Sequence, residues 1–472
     1  MIAAASLTDR AAEELSVWNV PGLELAAVKD GEVVLAEGVG LRNVEDNLPA
    51  TPETLFHHGS TGKAFTGVLV GTLVDAGLLD WDRPVRDYLP DFRMNNPLLT
   101  ERVTIADLLS HRSGMVRHDF LWLANPSLSR GELAARLRYL ESPLDFRTTF
   151  SYSNLAYATV GHLVAVVTGS TWEEQMRLRV LEPLGMNRTV NSVNLAQEME
   201  DHAQPYVVRD GQFQPIPWRQ SDQIAPAGQM ITCARDITHW LRFQLSDGEI
   251  DGTRILAPET LARTKTPSTP FEQPGPDPDI RFYGYGFGWG VGTYRGRRLV
   301  WHNGGIDGFK TEIALLPDDG IGVAVSCNVL NTNLPFSLAF QTVDTLLGAE
   351  EKPWTENLRK QEAEMPRPEP PTVVPGTHPS HALSDYAGEY EHPGYGTLSV
   401  TVEGPDLRVR IGEMDVDATY RHYDTWSLRY EPLDADWSLT FLTNPEGRIS
   451  AAETPLEPQA NPIRFERKPE GT

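Results

Sequence analysis

The chain has 472 residues, too many for one ordinary hydrophobic core, so two or three domains are expected. Hydrophobic residues make up 40% and charged residues 22%, which excludes disorder over the whole length. The formal net charge of -24 repels nucleic acid and anionic membrane, and it reads as a solvated surface rather than as a clue to substrate.

The first residues, Met1 to Asp9, carry no basic segment, and their apolar run is too short for a signal peptide. No later run approaches the ~18 apolar residues that a membrane helix needs, so a cytoplasmic location is expected. Gly22 to Lys29 and Glu32 to Val39 are strand-like and flank Asp30-Gly31, a hairpin signal because both residues tolerate positive φ. From Thr61 the pattern turns helical, with Phe65, Leu69 and Leu73 every four residues. Thr104 and Asp107 have the spacing of a capping box. Leu155 to Val167 and Trp172 to Leu181 read as further helices, the second ending before Pro183. Sheet signals return in the glycine–aromatic alternation Gly284 to Val291. They continue at Arg298 to His302, Thr311 to Leu316 and Gly322 to Cys327, with a turn at Pro317 to Gly320. The order strand, helical insert, strand predicts one antiparallel sheet built from both ends of a domain, with a helical lobe inserted. The two cysteines, Cys233 and Cys327, lie in apolar stretches and read as buried thiols or a single bridge, not as a disulfide scaffold.

Residues 351–380 change character. Pro366, Pro368, Pro370, Pro371, Pro375 and Pro379 fall among charged residues, and the stretch reads as an extended linker. Beyond it alternation dominates: Leu398, Val400 and Val402, then Leu407, Val409 and Ile411, then Trp426, Leu428 and Tyr430, then Leu439 and Phe441. Many short alternating strands predict a small antiparallel barrel. The expected domains are therefore 1–350, a proline-rich linker 351–380, and 381–472.

Three short motifs carry chemistry. In Ser60-Thr61-Gly62-Lys63 the serine hydroxyl needs a neighbouring base, and Lys63 lies one helical turn on, on the same face. The N-terminus of the helix also favours negative charge developing on Ser60. Tyr152-Ser153-Asn154 offers a phenol that serves as base if its pKa is depressed, and an amide for a lysine or a substrate carbonyl. In Trp301-His302-Asn303-Gly304-Gly305 the paired glycines allow close backbone approach and leave an N–H for an oxyanion. Other patterns are rejected. A phosphate loop fails because position 57 is His and Ala64 stands where Ser or Thr is required; a nucleophile elbow fails at His58; and His57-His58 lacks metal-ligand spacing.

Taken in order, Ser-x-x-Lys, Tyr-x-Asn and His-x-Gly resemble the serine β-lactamase and penicillin-binding-protein superfamily, in its class C-like esterase and D-aminopeptidase branch. The resemblance spans about residues 8–348. It is supported by Leu108 to Gly114, similar to "LL-[ST]-H-x-SG", by Leu181 to Met186, similar to "PLGM", and by Pro226 to Met230, similar to "PAGG" with Gln229 for the second glycine. Leu383 to Tyr390 resembles the opening of the lipocalin-like barrel that follows some of these peptidases and shapes their entrance or a homo-oligomer.

The resemblance implies an α/β (α+β) fold. A β-lactamase/transpeptidase-like antiparallel sheet is flanked by helices and an all-helical lobe, and a small C-terminal β-barrel follows. It implies Ser60 as nucleophile, Lys63 and Tyr152 as general base and acid, and Asn154 as a polar clamp. Ser60 and Gly305 N–H groups form the oxyanion hole, with His302, Asn303 and Gly304 beside it. No metal or other cofactor is implied. Where relatives have Lys-Thr-Gly, this chain has His302-Asn303-Gly304, so a fixed cation is replaced by a neutral or titrating imidazole and β-lactamase activity is demoted. The expected activity is hydrolysis of amides or esters of small peptides or D-amino-acid derivatives. Acyl transfer, such as peptide cyclisation by a thioesterase, is the enzyme alternative; a non-catalytic ligand-binding or sensor module is the other.

Overall fold

Asp30 (φ 51°) and Gly31 (φ 82°) close the first hairpin, between Gly22–Lys29 and Glu32–Asn43. In the computed structural model, which describes residues 2–366, 371–430 and 435–469, this hairpin joins a mixed-origin antiparallel sheet. Among the described residues the sheet has nine strands. Thr269–Pro274 lies at one edge, followed by Ile280–Tyr285, Gly290–Tyr294, Arg297–Ile306, Phe309–Leu316 and Ile321–Cys327, then by the N-terminal hairpin and Leu48–Pro49. The C-terminal strand Ile321–Cys327 pairs with Gly22–Lys29, so both ends of the domain meet in the sheet, as the strand–helix–strand order requires. Pairing is in register across the centre. Gly304 faces Thr311, Thr311 faces Ser326, and Ser326 faces Glu24.

Each face of the sheet has its own core. One face packs Ile2–Trp18 and Leu334–Leu347, through Leu7, Leu15, Leu338 and Phe340. The other packs Ala234–Leu245 and Gly62–Asp75, and continues into the helical lobe. The capping box at Thr104 forms as its spacing predicts: Asp107 N–H donates to Thr104, and Thr104 N–H donates back to Asp107. Ser153 caps the helix Asn154–Thr168, leaving the Asn154 side chain free to face the site.

Two expectations are corrected. The helix that starts at Trp172 does not stop before Pro183. It widens into a π turn over Arg177–Leu181 and continues as Glu182–Leu184, ending at Gly185 with φ 72°. The wider i→i+5 pattern accommodates a proline that has no N–H to give. The stretch 351–380 is not extended throughout either. Trp354–Glu364 is a helix, and Trp354 is fully buried against Tyr294, Phe336 and Phe340. Hydrophobic anchoring of one aromatic outweighs the polarity of its neighbours. Pro368 and Pro370 lie outside the described residues. Both cysteines are free and buried.

The C-terminal part closes into a barrel of eight strands among the described residues, from Gly388–His392 to Ile463–Arg467. Leu398, Val400, Leu407, Val409 and Ile411 point inward as the alternation requires, whereas Val402 is exposed at its strand end. The barrel shares its apolar core with the helical lobe, where Phe120 meets Trp437 edge-on at 4.9 Å.

Candidate active site

Ser60 sits in a single 3-10 turn, Gly59–Thr61, that feeds the helix Gly62–Asp75. Two glycines let this turn press against the strand Arg297–Ile306. A Cβ on Gly304 would stand 1.9 Å from His58 O, and one on Gly59, whose φ is 55°, would stand 2.7 Å from Gly305 N. The glycine of the third motif is therefore required by backbone contact with the serine turn.

Lys63 is wholly buried one turn further on. Its Nζ donates to Ala227 O at 2.6 Å and to Asn154 Oδ1 at 2.8 Å, and lies 3.2 Å from Ser60 Oγ. The Asn154 amide orientation is fixed, because its Nδ2 donates to Asp119 Oδ1 at 3.0 Å. Burial holds the Lys63 amine well below its ordinary 10.5; the positive Arg117 adds to the effect and Asp119 opposes it. Tyr152 lies with its ring 4.5 Å from Lys63 Nζ. Burial pushes its phenol above 10, against the pull of a hydrogen bond with Ser60 and of Arg117. A depressed phenol, the condition set on the sequence for Tyr152 to act as base, is therefore reversed: burial favours the protonated phenol at Tyr152 and disfavours the cation at Lys63.

His302 is buried and bonded at both nitrogens. Its Nδ1 donates to Asn303 O at 2.5 Å, so its Nε2 accepts from Tyr285 OH at 2.8 Å. Burial, helped by the nearby Lys63, lowers its pKa to about 3. Of the two states open from sequence, the imidazole is the neutral one; near pH 6.5 it does not titrate.

The strand's alternation brings His302 and Gly304 to the serine and sends Asn303 to the opposite face. There Asn303 lines an apolar groove with Trp301, Phe336 and Leu358. That placement follows the period of two along a strand. Ser60, Asn154 and Gly305 share a small cavity of about 40 Å³, walled also by His57 and Trp122. Gln229 adds an amide to that wall: its Oε1 accepts from Ser221 Oγ at 2.7 Å and its Nε2 donates to Asn191 O at 3.1 Å.

Several contributors escaped sequence reasoning. His111, with φ 58°, accepts from Ser153 N–H and lies 4.4 Å from the Tyr152 ring; it sits within the quoted Leu108 to Gly114 segment. Tyr285 was hidden in an aromatic run that reads equally as core. Arg117 and Asp119 pair at 2.6 Å beside Tyr152 and Asn154, with Arg117 Cζ 5.0 Å from the Tyr152 ring. No local pattern marks these two. Among the described residues there is no group of three or more His, Cys, Asp or Glu side chains able to hold a metal, and no helix is long and apolar enough to cross a membrane.

Comparison with known proteins places the family and the fold. The family model described as Beta-lactamase matches residues 9–345, and a domain of unknown function (DUF3471) matches residues 372–467. The chain is 31% identical to unguisins hydrolase ungD' of Aspergillus campestris, over 82% of this chain and 76% of that protein. It is 32% identical to penicillin-binding protein 4 of Amycolatopsis lactamdurans, over 52% and 65%. Among solved structures, an octameric penicillin-binding protein homologue from Pyrococcus abyssi shares the fold with a TM-score of 0.67 at 24% identity, covering 98% of this chain and 99% of that one. The chain belongs to the β-lactamase family and is a serine-hydrolase-type enzyme of the β-lactamase and penicillin-binding-protein superfamily.

Proposed function

We propose that the chain hydrolyses amide or ester bonds of small peptides, D-amino-acid derivatives or esters through an acyl-enzyme on Ser60, as a class C-like member with a lipocalin-like barrel. The observation that carries this is the inventory of bonds at Lys63. A neutral amine has two N–H groups and one lone pair. Ala227 O and Asn154 Oδ1 can only accept, so in the neutral amine they take both N–H groups and the lone pair is left for the hydroxyl hydrogen of Ser60, whereas the ammonium donates to all three.

In the proposed reaction Ser60 Oγ bonds to the substrate carbonyl carbon while its proton passes to Lys63. The carbonyl oxygen, now negative, meets the N–H groups of Ser60 and Gly305. Tyr152, a protonated phenol, gives its proton to the departing amine or alkoxide and regains one from Lys63. Water then attacks the ester at Ser60, the same groups return the proton, and the carboxylic acid leaves. The hydrolase names of two fungal relatives favour water over an amine as the second nucleophile.

His302 also bears on substrate class. A neutral ring with both nitrogens engaged offers no cation to a substrate carboxylate, so substrates without a free carboxylate are expected to be turned over and cephalosporins slowly or not at all. The test is a panel of L- and D-amino-acid amides, p-nitrophenyl esters and a chromogenic cephalosporin. Turnover of esters and amides is expected. Efficient turnover of the cephalosporin alone would overturn the substrate assignment.

A further inference from the structure

Among the contacts between barrel and lobe, those at His118 stand next to the chemistry. His118 adopts a left-handed conformation (φ 48°, ψ 34°) just before the helix Asp119–Leu123, a backbone state uncommon for a residue with a side chain. The barrel bonds to it directly. Glu457, buried on the segment before the last strand, accepts from the His118 backbone N–H at 2.7 Å, and Tyr395 OH lies 2.9 Å from His118 Nδ1. The far ring nitrogen meets Glu141 O at 2.9 Å, which leaves Tyr395 as donor to Nδ1. The very next side chain, Asp119, accepts from Asn154 Nδ2, and Asn154 in turn accepts from Lys63. The residue before, Arg117, pairs with Asp119 and lies against Tyr152.

We propose that Glu457 and Tyr395 of the C-terminal barrel are positioning residues for the reaction: by clamping His118 they set Arg117 and Asp119 against Tyr152 and the Asn154–Lys63 pair. This rests on the proposed role of Lys63 and adds a part for the barrel beyond walling an entrance. Without the clamp the segment relaxes from its left-handed turn, and both charges leave their places together. The charged and titratable groups facing Lys63 are Arg117 and Asp119 from this segment, Tyr152 and Tyr157 from the lobe, His111 beside them, and His302 from the sheet.

The test uses full-length Glu457→Ala, Glu457→Gln and Tyr395→Phe. Three quantities are read: the rate of Ser60 acylation by a p-nitrophenyl ester across pH, the thermal midpoint, and hydrogen exchange of residues 117–124. The glutamine keeps an acceptor oxygen, so it should acylate within about twofold of wild type. The alanine should fall about tenfold or more, with a displaced Lys63 limb and faster exchange confined to residues 117–124. Tyr395→Phe, a milder change, should fall about threefold with the same signature. Wild-type rate, limb and exchange in the alanine variant would overturn the inference alone. So would equal losses in alanine and glutamine that follow the thermal midpoint. A wild-type enzyme that never acylates at Ser60 would overturn the hydrolase reading and this inference together.

Discussion

Ser60 contributes little to packing, standing partly exposed in a one-turn 3-10 segment. Ser60→Ala should therefore abolish turnover with a thermal midpoint close to wild type; rate and midpoint are measured on the same preparation. Lys63→Ala and Tyr152→Phe should each slow acylation by about a hundredfold or more, the range of general acid–base help. Their double variant should be little slower than the worse single one, as the proposed single proton-transfer unit requires. A fully multiplicative loss would mean that one of them only packs. The rate should rise with pH through the Lys63 pKa, since the amine must lose its proton to act. Asp119 favours the lysine cation and Arg117 disfavours it. Asp119→Asn should then move that limb to lower pH and Arg117→Gln to higher pH. Shifts of the opposite sign would remove these charges from the account of Lys63. His302→Lys should raise the ratio of efficiencies on a free-acid ester over its methyl ester, because a permanent cation beside the oxyanion site rewards an anion.

At the scale of elements, the sequence was most legible where the interaction is local. The Asp30-Gly31 hairpin, the Thr104–Asp107 capping box and the helix following Ser60 all form as their spacings predict. It was least legible where a distant partner decides. Pro183 stays inside a helix because a π turn absorbs it, and Trp354 nucleates a helix because a pocket of aromatics waits for it. Asn303 lies across the strand from His302, as the strand period dictates. Glu312, on the same strand pair as Asn303, shows what such packing costs. Its carboxyl is buried with one oxygen lacking a partner, and burial pushes its pKa from 4.5 up to about 8. The folded state then holds a proton that the unfolded chain releases above 4.5. The stabilising contribution is complete below 4.5 and is lost as pH climbs towards 8. Glu312→Gln should flatten that part of the curve of thermal midpoint against pH, and an unchanged slope would show that Glu312 titrates normally.

Across the whole molecule, the lobe and the barrel form one continuous apolar cluster, in which Phe120, Leu140, Tyr395, Trp437 and Phe465 take part. Polar contacts reinforce it: Arg136 donates to Gly394 O at 3.0 Å, and Glu413 N–H donates to Ala124 O at 2.7 Å. Calorimetry should accordingly show one cooperative unfolding transition rather than separate steps for residues 1–350 and 381–472. Two well-separated transitions would mean that the shared core does not couple them. The three short motifs stand out in the sequence because each is local, but the Arg117–Asp119 pair does not. Its partners lie 35 residues away at Asn154 and 339 residues away, from His118, at Glu457, and no periodicity links them.

The central claim is that Ser60 is acylated with Lys63 as its base, and peptide-mapping mass spectrometry tests it most directly. The full chain is quenched during turnover of an activated ester, digested, and searched for the acyl group. A single acyl mass should appear on the peptide bearing Ser60 in wild type, accumulate more slowly in Lys63→Ala, and be missing from Ser60→Ala. Turnover that persists in Ser60→Ala, or an acyl group found on another residue, would contradict the account.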